Sequence, residues 1–166
     1  MTFPFHPDFT MAFQPIVNLT NKSVIAHEAL VRGSNGESAA TVFLSIRQQF
    51  RCLFDQECRR AAFRLADSLL LSDTKSNLSI NFLPNCINDP ADDLASAQVA
   101  AETYSLTLDR IIFECRDSKS LDVDRAIHIF QEYRSLGFLT SLDHFGPTKA
   151  SLELLPKFRP DFVKLG

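Results

Sequence analysis

"RIIFECRDSKSLDVDRAIHIFQEYRSLGFLTSLDHF", residues 110–145, carries the pattern that decides the fold. Its opening run, Ile111 to Cys115, is apolar apart from Glu114, and its closing run, Phe138 to Phe145, stays largely apolar until Asp143 and His144. Short near-continuous apolar runs of this kind read as strands buried on both faces of a sheet. Residues 121–137 between them repeat apolar side chains at helical spacing and stop at Gly137, the C-cap position. Strand, helix, strand is the unit from which parallel sheets are built.

The same alternation extends in both directions. Upstream, "NLSINFLP" (77–84) is a strand closed by Pro84, and a helix from Ala91 to Tyr104 leads on to Ile111. Helical periodicity runs from Ala39 to about Phe50 and again from about Leu53 to Leu71. Before that, "MAFQPIV" (11–17) and "SVIAHEALVRG" (23–33) form a strand pair across the turn "NLTNK". Downstream come a helical "TKASLELLPKF" (148–158) and a last strand, "DFVKLG" (161–166). The expected class is α/β with six strands, and periodicity leaves open whether they make a doubly wound sheet or an incomplete eight-stranded barrel. Residues 1–12 read as a Pro-broken lead-in, and residues 13–166 as one domain without repeats or linkers.

Composition narrows the function classes. With 166 residues, 45% of them hydrophobic, the chain has the material for a single core. Seventeen basic residues stand against 20 acidic ones and no long like-charge run occurs, which argues against nucleic acid and against an anionic membrane surface as partners. The apolar runs are far too short to span a membrane and the N-terminus lacks a signal pattern, so a cytoplasmic location is expected. The four cysteines, Cys52, Cys58, Cys86 and Cys115, form no C-x-x-C pair and read as reduced, buried thiols.

The polar residues that interrupt the strands share one position. Glu28, Asn81, Glu114, Asp143 with His144, and Lys164 each lie at or near a strand's C-terminal end, and in α/β folds those ends meet at one rim. Singly, each has a plainer reading: a half-exposed strand end, a turn cap for Asn81, a partner in Arg116 or Arg110 for Glu114, a solvent-exposed Lys164. Together, three carboxylates and an amide oxygen describe the oxygen-rich shell that a hard cation requires.

At this point the motifs resemble a known family. "FQPIV", "HEALVRG", "FDQECRRAAFRLA", "LSINFLP", "IIFE", "SLDHFG" and "RPDFVKLG", in this order, are similar to the EAL family of cyclic di-GMP phosphodiesterases, from about Phe13 to the last residue. The resemblance implies an eight-stranded β/α barrel with one early antiparallel strand, of which this sequence holds about six strands. It implies metal ligands at Glu28, Asn81, Glu114 and Asp143, a water-holding Lys164, and nucleotide contacts from Gln14 and Arg32. Magnesium or manganese would activate the water, giving Glu28 and Lys164 catalytic roles.

Three departures shape the expected function. His144 stands where the family usually has a second aspartate, so one metal site is expected and the second is not. Pro147, Thr148 and Lys149 replace a small-residue loop, and Asp117 stands where Glu is common. The last two barrel strands, with a further glutamate ligand, are expected beyond Gly166, which leaves two open sheet edges. The expected function is a degenerate EAL-type module in cyclic di-GMP signalling that binds cyclic di-GMP, a partner protein or a second copy of itself without hydrolysis. The alternative is an active metal-dependent phosphodiesterase completed by oligomerisation.

Overall fold

A computed structural model describes residues 8–116, 121–146 and 155–165. Its single sheet contains β1 (Phe9–Asn18), β2 (Ser23–Gly33), β3 (Asn77–Asn81), β4 (Ile111–Arg116), β5 (Leu139–Phe145) and β6 (Phe162–Leu165), neighbours in chain order. β1 runs antiparallel to β2, and every later pair is parallel. This order resolves what periodicity leaves open. A doubly wound sheet reverses direction at a switch point, whereas here each parallel strand adds on the same side, as in a barrel wall. The fold is therefore α/β, a curled part-barrel with one early antiparallel strand.

Right-handed crossovers that always advance in one direction put their helices on one face of the sheet. Along that face α2 (Arg51–Ser68), α3 (Pro90–Thr103) and α4 (Val123–Ser135) bury Phe63, Leu94, Ala101, Ile129 and Phe130 against Ala29, Leu78, Ile80, Phe113 and Leu142. Phe113 is fully buried, ringed by Phe82, Tyr133 and Phe138 at centroid distances of 6.0, 4.4 and 5.2 Å. α1 (Ala39–Ser45) seals a smaller cluster around Val31, Val42 and Phe54. Helix ends follow local chemistry. Asp89 accepts from the Ala91 N–H ahead of α3, with Pro90 in the first turn, and Gly137 turns the chain after α4 at φ +97°.

The structure shifts several boundaries. The helix expected from Ala39 to Phe50 stops at Ser45 because Ile46 is extended, and a 3-10 turn at Gln48–Phe50 then runs into α2. β1 starts at Phe9, inside the expected lead-in, because pairing with Gly33 gives that backbone its hydrogen bonds. Residues 155–158 are helical, while Asp117, Pro147–Lys149 and Gly166 lie outside the described residues. Among the described residues, no helix is long and apolar enough to cross a membrane.

The expectation of four thiols is corrected. Cys52 and Cys86 form a disulfide, with Cα atoms 4.9 Å apart; Cys58 and Cys115 do not take part. A separation of 34 residues hides this pairing in the sequence, and packing of the first turn of α2 on the turn after β3 creates it.

A buried polar network ties the helices to one another. Arg59 donates two hydrogen bonds to the Asp93 carboxylate, both 2.7 Å, and lies 3.5 Å from Asp55, while Tyr133 donates its hydroxyl to Asp93. Asp55 is 4% exposed, and burial raises its pKa to about 6 against the opposing pull of Arg59. The proton is held more tightly in the folded protein, so this contribution to stability is complete below about pH 4 and is lost as pH rises through about 6. Asp55→Asn removes that titration. In urea denaturation at pH 4 and pH 7, the wild type is expected to lose about 1–3 kcal/mol more than the variant between the two; equal losses would mean that Asp55 titrates normally.

Candidate functional site

Strand alternation sends every second residue to the face of the sheet away from the helices, and toward the strands' C-terminal ends those residues are polar. In "NLSINF" the apolar Leu78, Ile80 and Phe82 pack under the helices, so Ser79 and Asn81 point the other way. Register extends this set across the sheet. Gln14 stands opposite Glu28, Asn81 beside Glu114, and Glu114 beside Ser141.

Four of the expected residues come together. The Lys164 Nζ donates to Glu28 Oε2 at 2.6 Å and to Glu114 Oε2 at 2.8 Å. Asn81 donates from Nδ2 to Glu28 Oε1 at 3.0 Å, and Ser79 donates its hydroxyl to Glu114 Oε1. Glu114 is nearly inaccessible at 1% exposure, and burial raises its pKa against the hydrogen bonds from Lys164 and Ser79. Burial pulls the Lys164 ammonium down, but its bonds to Glu114 and Glu28 outweigh that and hold it above the ordinary lysine value. The centre is a cation shared by two carboxylates. Arg110, one sequence alternative for Glu114, is instead spent on the carbonyls of Leu71, Ser72 and Ser76.

Asp143 stands apart from this cluster. It pairs in register with Arg116, two rungs nearer the rim than Glu114, and its carboxylate lies 3.8 Å from the Arg116 Nε. The next residue, His144, takes a left-handed φ of +55° and is exposed; the β5–β6 register shifts there, so both Leu142 and Phe145 reach the core. A residue inserted in this way is a β-bulge, and it suspends the alternation that would otherwise orient His144. Gln14 is exposed opposite Glu28, and Arg32, farther along β2, donates from Nη1 to the Val31 carbonyl at 2.8 Å. Sequence reasoning missed Ser79 and the Arg116–Asp143 pair. The two-residue period of "NLSIN" would have identified the first.

The donors of Glu28, Asn81 and Glu114 are oxygens suited to a hard divalent ion, and the convergence of two carboxylates on one ammonium marks a point built for positive charge. Ser141 Oγ, buried and without a hydrogen bond, sits on the adjoining strand at the rung of Glu114. Among the described residues, no group of three His, Cys, Asp or Glu side chains is placed to hold a metal, so a cation here would rely on Asn81 and on displacing the Lys164 Nζ.

Comparisons with known proteins identify the fold and the family. The model of the EAL domain matches residues 6–166. The fold superposes with a TM-score of 0.87 on a cyclic di-GMP-bound standalone versatile EAL protein from Vibrio cholerae O395, at 44% identity, covering 97% of this chain and 67% of that one. The manganese and cyclic di-GMP complex of Klebsiella pneumoniae BlrP1 gives a TM-score of 0.85 at 30% identity, over 99% of this chain and 42% of that one. The blue light- and temperature-regulated antirepressor BluF of Escherichia coli K12 is 29% identical over 156 residues, which is 93% of this chain but only 38% of BluF.

Removing the shared cation exposes the electrostatics of the cluster. Lys164→Met leaves Glu114 buried beside Glu28, which raises its pKa further, so the variant binds protons more readily when folded. Urea denaturation is expected to show a deficit of about 1–3 kcal/mol at pH 8 that shrinks toward pH 5. A deficit that is the same at both pH values would mean that the ammonium does not hold the carboxylates together.

Proposed function

The chain belongs to the EAL domain family, and from that premise we propose that its polar face binds cyclic di-GMP as a regulatory signal without hydrolysing it. The observation that carries this reading is the position of Asp143. Its carboxylate is engaged by Arg116 rather than by the Glu28, Asn81 and Glu114 group, and His144 is turned outward on the bulge. Lys164, held as an ammonium between two carboxylates, supplies charge and hydrogen bonds but accepts no proton from water near neutral pH.

Nucleotide binding is supported by the neighbours solved with cyclic di-GMP and by the residues that line this face. Arg32 carries a planar guanidinium that matches phosphate oxygens bidentately, and Gln14 offers an amide to a base edge. Glu28, Asn81 and Glu114 would hold magnesium or manganese, which when bound neutralises phosphate charge and acidifies a water. Regulation fits the kinship with an antirepressor, with a protein partner or a second copy of the chain receiving the signal. The chain spans less than half the length of BluF, so these roles are read for the domain alone. A second reading, metal-dependent hydrolysis completed by oligomerisation, is favoured by the convergence of Glu28, Asn81, Glu114 and Lys164.

Calorimetry with cyclic di-GMP separates the two readings when paired with chromatography of the nucleotide after incubation with manganese or magnesium. The expected result is saturable binding that Arg32→Ala weakens about tenfold or more, with no linear product. Linear product whose formation disappears with Glu28→Ala establishes the second reading instead.

A further inference from the structure

The turn that follows Asn81 is fastened to its surroundings at three places. Leu83 donates its backbone N–H to Asp55 of α2, Arg125 of α4 donates to the Ile87 carbonyl, and Cys86 is bonded to Cys52 in the first turn of α2. The disulfide closes a segment 34 residues long that contains β3, and with it Ser79 and Asn81 of the candidate site. Of the three fastenings, only this one opens by thiol chemistry.

It is also reachable from the Cys52 side, Cys86 itself being buried. Cys52 is exposed, and Cys86 borders a cavity of about 300 Å³ between α2 and α3 whose walls include Gln56, Arg59, Arg60 and Asp89. Cys58 lies about one and two-thirds turns along the same helix, but burial raises its thiol far above the ordinary value, so little thiolate exists to divert the exchange. The pair Cys52 and Cys86 is thus both reachable and insulated from the nearest alternative partner.

We propose that the Cys52–Cys86 disulfide is a thiol-responsive clasp on the turn after Asn81, and that opening it weakens ligand binding at the polar face; the second part rests on the cyclic di-GMP reading above. The step is thiol–disulfide exchange with a dithiol reductant. One reductant thiolate attacks the Cys52 sulfur, the Cys52–Cys86 bond breaks, and Cys86 leaves as a thiolate that takes a proton. The second reductant thiol then displaces Cys52 from the mixed disulfide. Two protein thiols and one oxidised reductant result, with two electrons and two protons transferred.

The test equilibrates the protein in buffers of oxidised and reduced dithiothreitol, from oxidising to reducing, quenches it with acid and maps cysteine pairing by peptide mass spectrometry. Amide hydrogen exchange and cyclic di-GMP calorimetry are run at both ends of the range. The expected result is a Cys52–Cys86 peptide pair that disappears on reduction, exchange of the 82–89 amides about tenfold faster, and nucleotide affinity lower by about fivefold. Cys52→Ser is expected to exchange like the reduced wild type in every buffer, and Cys58→Ser to follow the wild type. Failure of Cys52 to pair with Cys86 overturns the proposal, as does unchanged 82–89 exchange on reduction. Faster exchange with no nucleotide binding in either state supports the clasp and overturns the nucleotide reading instead.

Discussion

Glu28 and Glu114 share one ammonium, and that sharing constrains the whole sheet. β2 and β6 are four strands apart, and a flat sheet at about 4.8 Å per strand would separate them by about 19 Å. Lysine and glutamate side chains do not bridge that distance. The contact of Lys164 with Glu28 therefore requires the sheet to curl, and the curl brings Glu114 of β4 within reach of the same Nζ. Repulsion between the carboxylates and the low polarity around Glu114 make the cation necessary, and backbone twist makes it reachable.

The two faces of the sheet divide the labour. Phe113, Ile80 and Leu142 and the helices over them bury the apolar half of each strand, while Ser79, Asn81 and Glu114, their immediate neighbours in the chain, face the opposite side. Site residues are thus placed by the same alternation that builds the core. The buried Arg59–Asp93–Tyr133 network then fixes α2, α3 and α4 against one another behind the site. The bidentate Arg59–Asp93 pair, joined by the Tyr133 hydroxyl, favours one arrangement of the helices over near alternatives.

Much of this was legible in the sequence, and the exceptions have identifiable causes. The strands around Ile80, Phe113 and Leu142 could be read because buried parallel strands leave long apolar runs, and Glu28, Asn81, Glu114 and Lys164 could be grouped because each interrupts such a run near its end. Periodicity carries no information about strand order beyond the pair across the "NLTNK" turn; the barrel order with its early antiparallel strand was legible only through the likeness of the motifs to the EAL family. Asp143 separated from the group because its environment depends on Arg116 across the ladder and on a left-handed His144, both products of backbone geometry. Ser79 was overlooked because a serine in a strand draws no notice until its partner, Glu114, is known. Cys52 and Cys86 met through tertiary packing that no local pattern announces.

The reversed direction of β1 has a topological consequence. Its first residues, Phe9 and Thr10, lie opposite Gly33 and Arg32, and the Asp8 carbonyl accepts from the Ser34 N–H. Chain arriving ahead of Phe9 consequently reaches the sheet at the lip where β2 ends, rather than at the far side where a parallel first strand would begin. A force applied at Phe9 would thus meet Arg32 across the ladder and the Phe54 ring of α2, 5.1 Å from its own, before it met any strand beyond β2.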